Sequence, residues 1–198
     1  IRMGDEKTPG MFNFAEVCAL ANEELIRSAR SVGERLSADD IINIQFTSGT
    51  TGNPKGASLT HRNILNNAYF IAQYMRLTPE DRLCIPVPLY HCFGMVAGVL
   101  CCASVGATMV FPGEAFDPVD TLRAVSDEKC TALHGVPTMF FAELDLPNRS
   151  EFDTSSLRTG VIAGSLCPVE LMRRLIDEFG QRELAIGYGQ TECSPINT

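Results

Sequence analysis

Apolar positions along the chain recur first with helical spacing and then in short blocks. Over residues 12–30, Phe14, Val17, Cys18, Ala21, Leu25 and Ala29 lie near a helical period, with Glu16, Glu23, Glu24 and Arg27 between them, which predicts one amphipathic helix. Residues 31–40 are polar and loop-like. Residues 41–46 form a β-branched run that predicts a strand, and the Gly, Thr, Ser, Asn and Pro stretch behind it reads as neither helix nor strand. Thr60 is a candidate N-cap for a helix carrying Ile64, Leu65, Ala68, Ile71, Ala72 and Met75 on one face. Strands and helices then alternate: strand 83–87, helix 93–103, strand 107–111, helix 118–126, a strand around Ala132, helix 137–144, strand 160–163, helix 168–179 and strand 184–188. This order predicts an α/β fold, a mostly parallel sheet with helices on both faces. Right-handed crossovers gather the loops that follow the strands at one edge, where such sheets bind ligands. Chemistry is therefore expected in the loops after Phe46, Val87, Ala163 and Tyr188.

Composition narrows the partners. Sixteen Lys and Arg against 24 Asp and Glu give a net charge of −8, which argues against nucleic acid or an anionic membrane as the main partner. With 45% hydrophobic and 20% charged residues the chain can bury a sizeable core, as one globular unit or a large part of one. The eight cysteines lie mostly within apolar runs and show no C-x-x-C spacing. They are read as core residues of an intracellular protein, without a zinc site. Residues 83–113 carry no formal charge apart from His91, long enough for a membrane span of about 20 residues. Pro86, Pro88, Gly94, Gly98, Gly106 and Pro112 interrupt the run, so strand, helix and strand in series is preferred to a span. Arg2, Asp5, Glu6 and Lys7 directly follow Ile1, and no targeting segment is expected in this chain.

The loop after residue 46 reads T-S-G-T-T-G-N-P-K-G. It contains Thr47, Ser48, Gly49, Thr50, Thr51, Gly52 and Lys55, and thus hydroxyl donors, backbone that can approach an anion, and one cation. That inventory suits a polyphosphate cradle, and equally a solvated Gly/Thr loop. It is not a Walker A sequence, since Pro54 precedes the lysine and Gly56 stands in the Ser/Thr place. The G-Y-G at 187–189 completes no dinucleotide fingerprint, because Glu192 stands where the third glycine belongs. A carboxylate beside Thr191 suits a magnesium ligand next to a phosphate contact, or a capped surface turn. His91 in an apolar neighbourhood is more often a hydrogen-bonded core residue than a catalyst. His61 and His134 match no functional pattern and are read as structural.

Order and spacing of the ten-residue loop resemble the phosphate-binding signature of the adenylate-forming superfamily: acyl-CoA synthetases, luciferases and peptide-synthetase adenylation domains. P-V-P-L-Y-H at 86–91 is similar to its acyl-pocket segment, V-I-A-G-S at 161–165 to its Gly-rich turn, where G-G-A is more usual, and Y-G-Q-T-E at 188–192 to its nucleotide and magnesium motif. The resemblance covers residues 41–198 and implies the central part of the large N-terminal domain, without the small C-terminal domain. It implies ATP, magnesium and CoA as cofactor and co-substrates. Thr47, Ser48, Gly49, Thr50, Thr51, Gly52 and Lys55 would hold phosphates, with the Lys55 charge on the β- and γ-phosphates. Gly164, Ser165, Tyr188, Gly189 and Thr191 would hold AMP, with Tyr188 on adenine and Thr191 on the α-phosphate. Thr51 and Glu192 would bind magnesium. His91, Phe93, Ala163 and Gly189 would line the acyl pocket, His91 as a gate towards the thiol tunnel. The expected catalytic set is Thr191, Glu192, Lys55 and His91.

The implied reaction is attack of a carboxylate on the α-phosphate of ATP, followed by transfer of the acyl group to the CoA thiol. Residues 90–93 lack the Asp with which amino-acid-activating members pair the substrate ammonium, and an amino acid would leave that charge buried and unpaired. Acetate-specific members close the pocket with Trp at the position of Gly189, and this chain has no Trp, so room for a longer acyl chain is expected. An apolar pocket near Cys92, Phe93, Met95 and Val96 would favour medium chains, at about 0.8 kcal/mol per buried methylene. The motifs most resemble the mitochondrial medium-chain acyl-CoA synthetases, which implies a matrix location, with the cytoplasm as alternative. The expected partners are a small-molecule carboxylic acid, ATP and CoA, with no nucleic acid and no membrane span; no oligomeric state is legible. The family's ribose-binding Asp and C-terminal Lys cannot be mapped here, so this stretch alone is expected not to turn over. The alternatives are a non-catalytic nucleotide-binding module and a plain α/β scaffold.

Overall fold

A computed structural model describes residues 1–47 and 52–197. They form two compact units, Ile1–Asp40 and Ile41–Thr198. The first holds two helices, α1 (Phe14–Ala19) and α2 (Glu23–Gly33), where the periodicity predicts one. The break lies at Asn22, whose side chain accepts from the Leu25 amide at 2.9 Å and caps a new helix. Helix α2 also runs three residues into the expected loop.

The second unit opens with an antiparallel pair, β1 (Ile41–Thr47) and β2 (Lys55–Thr60), with Thr47 opposite Lys55. Strand β2 is a correction: Lys55 and Gly56, read as loop, begin a strand in which Ala57 and Leu59 are buried while Gly56 and Ser58 face out. Helix α3 (His61–Tyr74) follows, capped by Thr60, which accepts from the Asn63 amide at 3.3 Å. Ile64, Ala68, Ile71, Ala72 and Met75 are buried as expected, whereas Leu65 lies off their stripe and is exposed.

Five short strands make the parallel sheet: β3 (Arg82–Cys84), β4 (Thr108–Val110), β5 (Ala132–Leu133), β6 (Thr159–Ile162) and β7 (Glu183–Ile186), in the order β4-β3-β5-β6-β7. Strand β3 ends earlier than predicted; Ile85 still donates to Val110 at 2.9 Å, but Pro86 has no N–H to continue. The predicted helix at 93–103 is a π-helix, Phe93–Leu100, running into α4 (Cys101–Val105). The apolar run at 83–113 is thus strand, helix and strand, and among the described residues no helix is long and apolar enough to cross a membrane. Helices α5 (Pro118–Glu128), α6 (Pro137–Leu144) and α7 (Val169–Phe179) complete the alternation.

Alternate residues of one strand serve opposite layers, as the pleat requires. Leu83, Ala132 and Val161 pack with α3, the π-helix and α4. Cys84, Leu133 and Ile162 pack with α5, α6 and α7. The chain leaves β3 first to one side, towards β4, and then returns to the other, towards β5. Such a reversal opens a crevice at the carboxyl ends of the strands, and it directs attention to the loop after β3. Five of the eight cysteines are buried; Cys18 is exposed and Cys167 and Cys193 are partly so, which corrects the expectation that all are core residues.

Candidate active site

The end of β1 and the loops after β3, β6 and β7 meet in a cleft of about 290 Å³ lined by Thr47, His91, Cys92, Phe93, Ala163, Gly164, Gly189, Gln190, Thr191, Glu192, Pro195 and Ile196. All four loops singled out by the strand pattern are represented. A neighbouring cleft of about 630 Å³ shares Gly164 and Gly189 and is lined also by Ser165, Leu166, Cys167, Ile186, Gly187 and Tyr188. Lys55 borders neither; it starts β2, exposed, and its carbonyl accepts from the Thr47 hydroxyl at 3.4 Å. Gly52 is exposed, with open space around its Cα. Ser48, Gly49, Thr50 and Thr51 lie outside the described residues.

His91 caps its own turn: the ring Nδ1 accepts from the Phe93 amide at 3.0 Å, so in the neutral ring the proton sits on Nε2. Partial desolvation of the ring lowers its pKa, which keeps it neutral at pH 7. Beside it the Cys92 thiol is buried and lies 3.6 Å from the Thr191 hydroxyl. Burial raises the pKa of this thiol, so it remains protonated and is no nucleophile. His134, by contrast, is fully buried, with Nε2 donating to Ala97 at 2.9 Å and Nδ1 accepting from the Val161 amide at 3.1 Å. Burial drives its pKa down to about 4. It links the π-helix to β6, and the Phe93 ring leans on it with centroids 5.3 Å apart.

Two glycines shape the cleft. Gly164 has φ +92°, a conformation other residues rarely adopt, and it turns the chain sharply after β6. A Cβ on Gly189 would stand 1.9 Å from the Pro195 carbonyl oxygen. The tight return of the chain therefore demands glycine at 189, a backbone reason beside the expected room for an acyl chain. Residues 188–197 form that return: Gln190 donates to Pro195 at 2.8 Å, Asn197 donates to Tyr188 at 2.8 Å, and Gly189 bridges Ile196. At its tip the 3₁₀ turn Thr191–Cys193 lies beside β2. Of the residues near which an apolar pocket is expected, Cys92 and Phe93 line the cleft, whereas Val96 is buried with Leu59, Ile64 and Ala68, and Met95 packs against that group. Gln190 stands in the Y-G-Q-T-E motif without an expected role, and Ile196 and Asn67, which holds Ile196, lie outside every quoted motif. The one signal for Asn67 was a carboxamide on the apolar stripe of α3.

Among the described residues no cluster of three or more His, Cys, Asp or Glu could hold a metal ion on its own. Glu192 is exposed at the cleft and makes no hydrogen bond or ion pair with the described residues, so its oxygens are open. A lone carboxylate fits magnesium, which keeps waters and takes its other ligands from substrate phosphates.

The model of the family described as AMP-binding enzyme matches residues 5–198. The chain belongs to this family. Among similar AMP-binding enzymes, the acyl-CoA ligase sidI of Aspergillus fumigatus is 56% identical over 160 residues, 81% of this chain and 27% of that protein. The mitochondrial medium-chain acyl-CoA ligase ACSF2 of Danio rerio is 45% identical over 194 residues, 97% of this chain and 32% of that protein. The anthranilate CoA ligase AuaEII, solved with anthranoyl-AMP, superposes with TM-score 0.73 at 31% identity, covering 80% of this chain and 31% of that one. ATP-bound MatB of Rhodopseudomonas palustris gives TM-score 0.71 at 29% identity, covering 82% and 31%. The AMP-binding chain described here spans about a third of the length of the curated relatives it matches.

Proposed function

We propose that the chain is the central part of the large domain of an ATP-dependent acyl-CoA ligase, which activates a medium-chain fatty acid first to the acyl-adenylate and then to acyl-CoA. The observation that carries this reading is the convergence of His91, Gly164, Thr191 and the open carboxylate of Glu192 on one cleft at the carboxyl edge of the sheet. In the first step a substrate carboxylate oxygen attacks the α-phosphorus of ATP and pyrophosphate leaves from the opposite side. In the second the CoA thiol attacks the acyl carbon and AMP leaves. Such chemistry needs positioning and charge neutralisation above all. Thr191 would donate to the α-phosphate, and Glu192 would hold a magnesium ion, which would supply positive charge to the phosphates. Tyr188, Gly164 and Ser165 supply the walls of an adenine site. The Lys55 ammonium meets the β- and γ-phosphates. Neutral His91, with its Nε2–H outward, gates the passage between carboxylate and thiol.

The medium-chain preference rests on the ACSF2 relatives, whose name also favours the mitochondrial matrix over the cytoplasm. It is supported by a mostly apolar groove of about 340 Å³ that shares Ile196 with the cleft and is lined by Phe70, Ile71, Tyr74, Val161 and Ala185. At about 0.8 kcal/mol per methylene, six buried methylenes would separate octanoate from acetate by more than a thousandfold.

The test is exchange of labelled pyrophosphate into ATP by the full-length protein, without CoA, across acids from acetate to palmitate. A maximum at medium length is expected, with Lys55→Ala and Glu192→Gln each lowering the rate by about 100-fold or more. The 198-residue chain alone is expected to give no exchange. Absence of exchange with every acid, in a folded full-length protein that binds ATP, would overturn the enzyme reading in favour of a nucleotide-binding module.

A further inference from the structure

In the 188–197 return the Gly189/Ile196 pair lies between two hydrogen-bonded pairs, Gln190 with Pro195 and Tyr188 with Asn197. In an antiparallel ladder the residues of such an intervening pair point their N–H and C=O groups away from each other. Both backbone groups of Ile196 thus need a partner on the far side. That partner is one side chain of α3. Asn67 Nδ2 donates to the Ile196 carbonyl at 2.7 Å, and Asn67 Oδ1 accepts from the Ile196 amide at 3.2 Å, across 129 residues of sequence. Nδ2 also reaches the Cys193 carbonyl at 3.5 Å. A carboxamide carries the donor and acceptor of a peptide group, and here it replaces a neighbouring strand.

We propose that Asn67 is a positioning residue for the adenylation step: its carboxamide clamp on Ile196 fixes the 188–197 return against α3 and thereby places Thr191 and Glu192 for phosphate and magnesium. The role rests on the acyl-CoA ligase reading of the cleft. Asn67 itself lines the apolar groove and not the cleft that holds Thr191 and Glu192, so its effect on the reaction runs through the backbone it holds. Among the described residues the turn Thr191–Cys193 is otherwise met by Cys92 Sγ near Thr191 and by the neighbouring strand β2. Of the side chains close in size, only a carboxamide serves both Ile196 groups. Aspartate would set a carboxylate against two carbonyl oxygens, and alanine would leave an amide and a carbonyl unpaired.

The experiment compares Asn67→Ala, Asn67→Asp and Asn67→Gln with the unaltered full-length protein, by pyrophosphate exchange at varied magnesium and varied acid and by amide hydrogen exchange of the peptide spanning 188–197. For Ala and Asp the expected result is a fall in kcat of about 10- to 100-fold, as for an ångström-scale misplacement of reacting groups. The magnesium concentration for half-maximal rate rises, and kcat falls by the same factor with acetate, too short to fill the groove that Asn67 lines, as with a medium-chain acid. Deuterium uptake at 188–197 quickens while peptides of β6 keep their protection. Gln restores part of the rate. Unchanged kcat and magnesium dependence in Ala or Asp, or unchanged uptake at 188–197, would overturn the proposal, as would a loss of thermal stability with kinetics intact. Should Ala fail to fold, Asp and Gln decide the matter by the same readouts. Should the unaltered protein show no exchange with any acid, the ligase reading fails, and with it the adenylation role. The uptake at 188–197 then still reports separately whether Asn67 clamps Ile196.

Discussion

The two ends of the parallel sheet handle polar groups in opposite ways. At the amino ends of the strands Asp81 is nearly buried and accepts from Arg158 at 2.8 Å, from the Thr131 hydroxyl at 2.6 Å and from the Thr78 amide at 2.8 Å. Arg158 donates also to the carbonyls of Met75 and Arg76 and to Glu183, and Arg82 pairs with Glu128. Burial pushes the Asp81 carboxyl up, but the bonds from Arg158, Thr131 and Thr78 outweigh it and hold its pKa below the usual value. At the carboxyl ends, Glu192 has no protein partner among the described residues and His91 keeps one ring nitrogen outward. The same strands carry both. Groups that satisfy one another lock a fold, and groups left open at a rigid edge are available to a ligand.

The largest effect is expected at the locked end. Arg158→Ala leaves the Asp81 carboxylate buried and unpaired, and should cost about 3 to 4 kcal/mol in urea unfolding, towards the lower end for a buried pair because Arg158 is one-third exposed. A loss under about 1 kcal/mol would make the network incidental.

Next comes acid. His134 has a folded pKa of about 4 against 6.5 when free, so the unfolded chain binds the extra proton between these values. Its contribution is fully present above pH 6.5 and is lost as the pH falls towards 4, roughly 3 kcal/mol in all. His134→Gln should flatten the pH profile of stability in that window.

Glu143 offers the sharpest exception to the contrast, since this residue of α6 is fully buried and neither oxygen finds a partner among the described residues. Burial raises its pKa well above the ordinary 4.5, so the folded state keeps a proton that the unfolded state releases. Stability from this group is present below pH 4.5 and declines as the pH rises to its folded pKa, by up to about 1.4 kcal/mol per pH unit. Glu143→Gln should abolish that slope and be the more stable protein at neutral pH.

The smallest effect is expected at the open edge. Glu192→Gln and Lys55→Ala should change unfolding free energy by less than about 0.5 kcal/mol while removing exchange activity. A larger loss from either would mean that the open end also helps to hold the fold.

How legible these regions were follows from the range over which each feature is encoded. Helix α6 is read at its observed bounds, because Pro137 starts it and its apolar residues are contiguous in sequence. His91, Gly164, Thr191 and Glu192 were marked by short motifs, and the strand pattern correctly brought their loops together. Strand β2 escaped because Lys, Gly, Ala and Ser have little strand propensity, and only Ala57 and Leu59 betray its alternation. The helix break at Asn22 escaped because the apolar spacing continues across it, while the cap is a local hydrogen bond. The backbone demand for glycine at 189 was not legible, because the Pro195 and Ile196 atoms that forbid a Cβ there approach only once the chain has turned back. Asn67 showed only a carboxamide on an apolar stripe, since an asparagine in a helix gains its meaning from a strand-like segment 129 residues later.

The strand order carries a consequence for synthesis. After β3 and β4 pair, β5 adds on the free side of β3, and β6 and β7 then each add next to the strand made immediately before. A chain emerging from the ribosome can extend this sheet one strand at a time without waiting for distant sequence or opening a pair already formed. The return at 188–197 follows all five strands, and when it docks it meets a side chain of α3 made long before. Thr191 and Glu192 are thus held in position only after the sheet that carries them has formed.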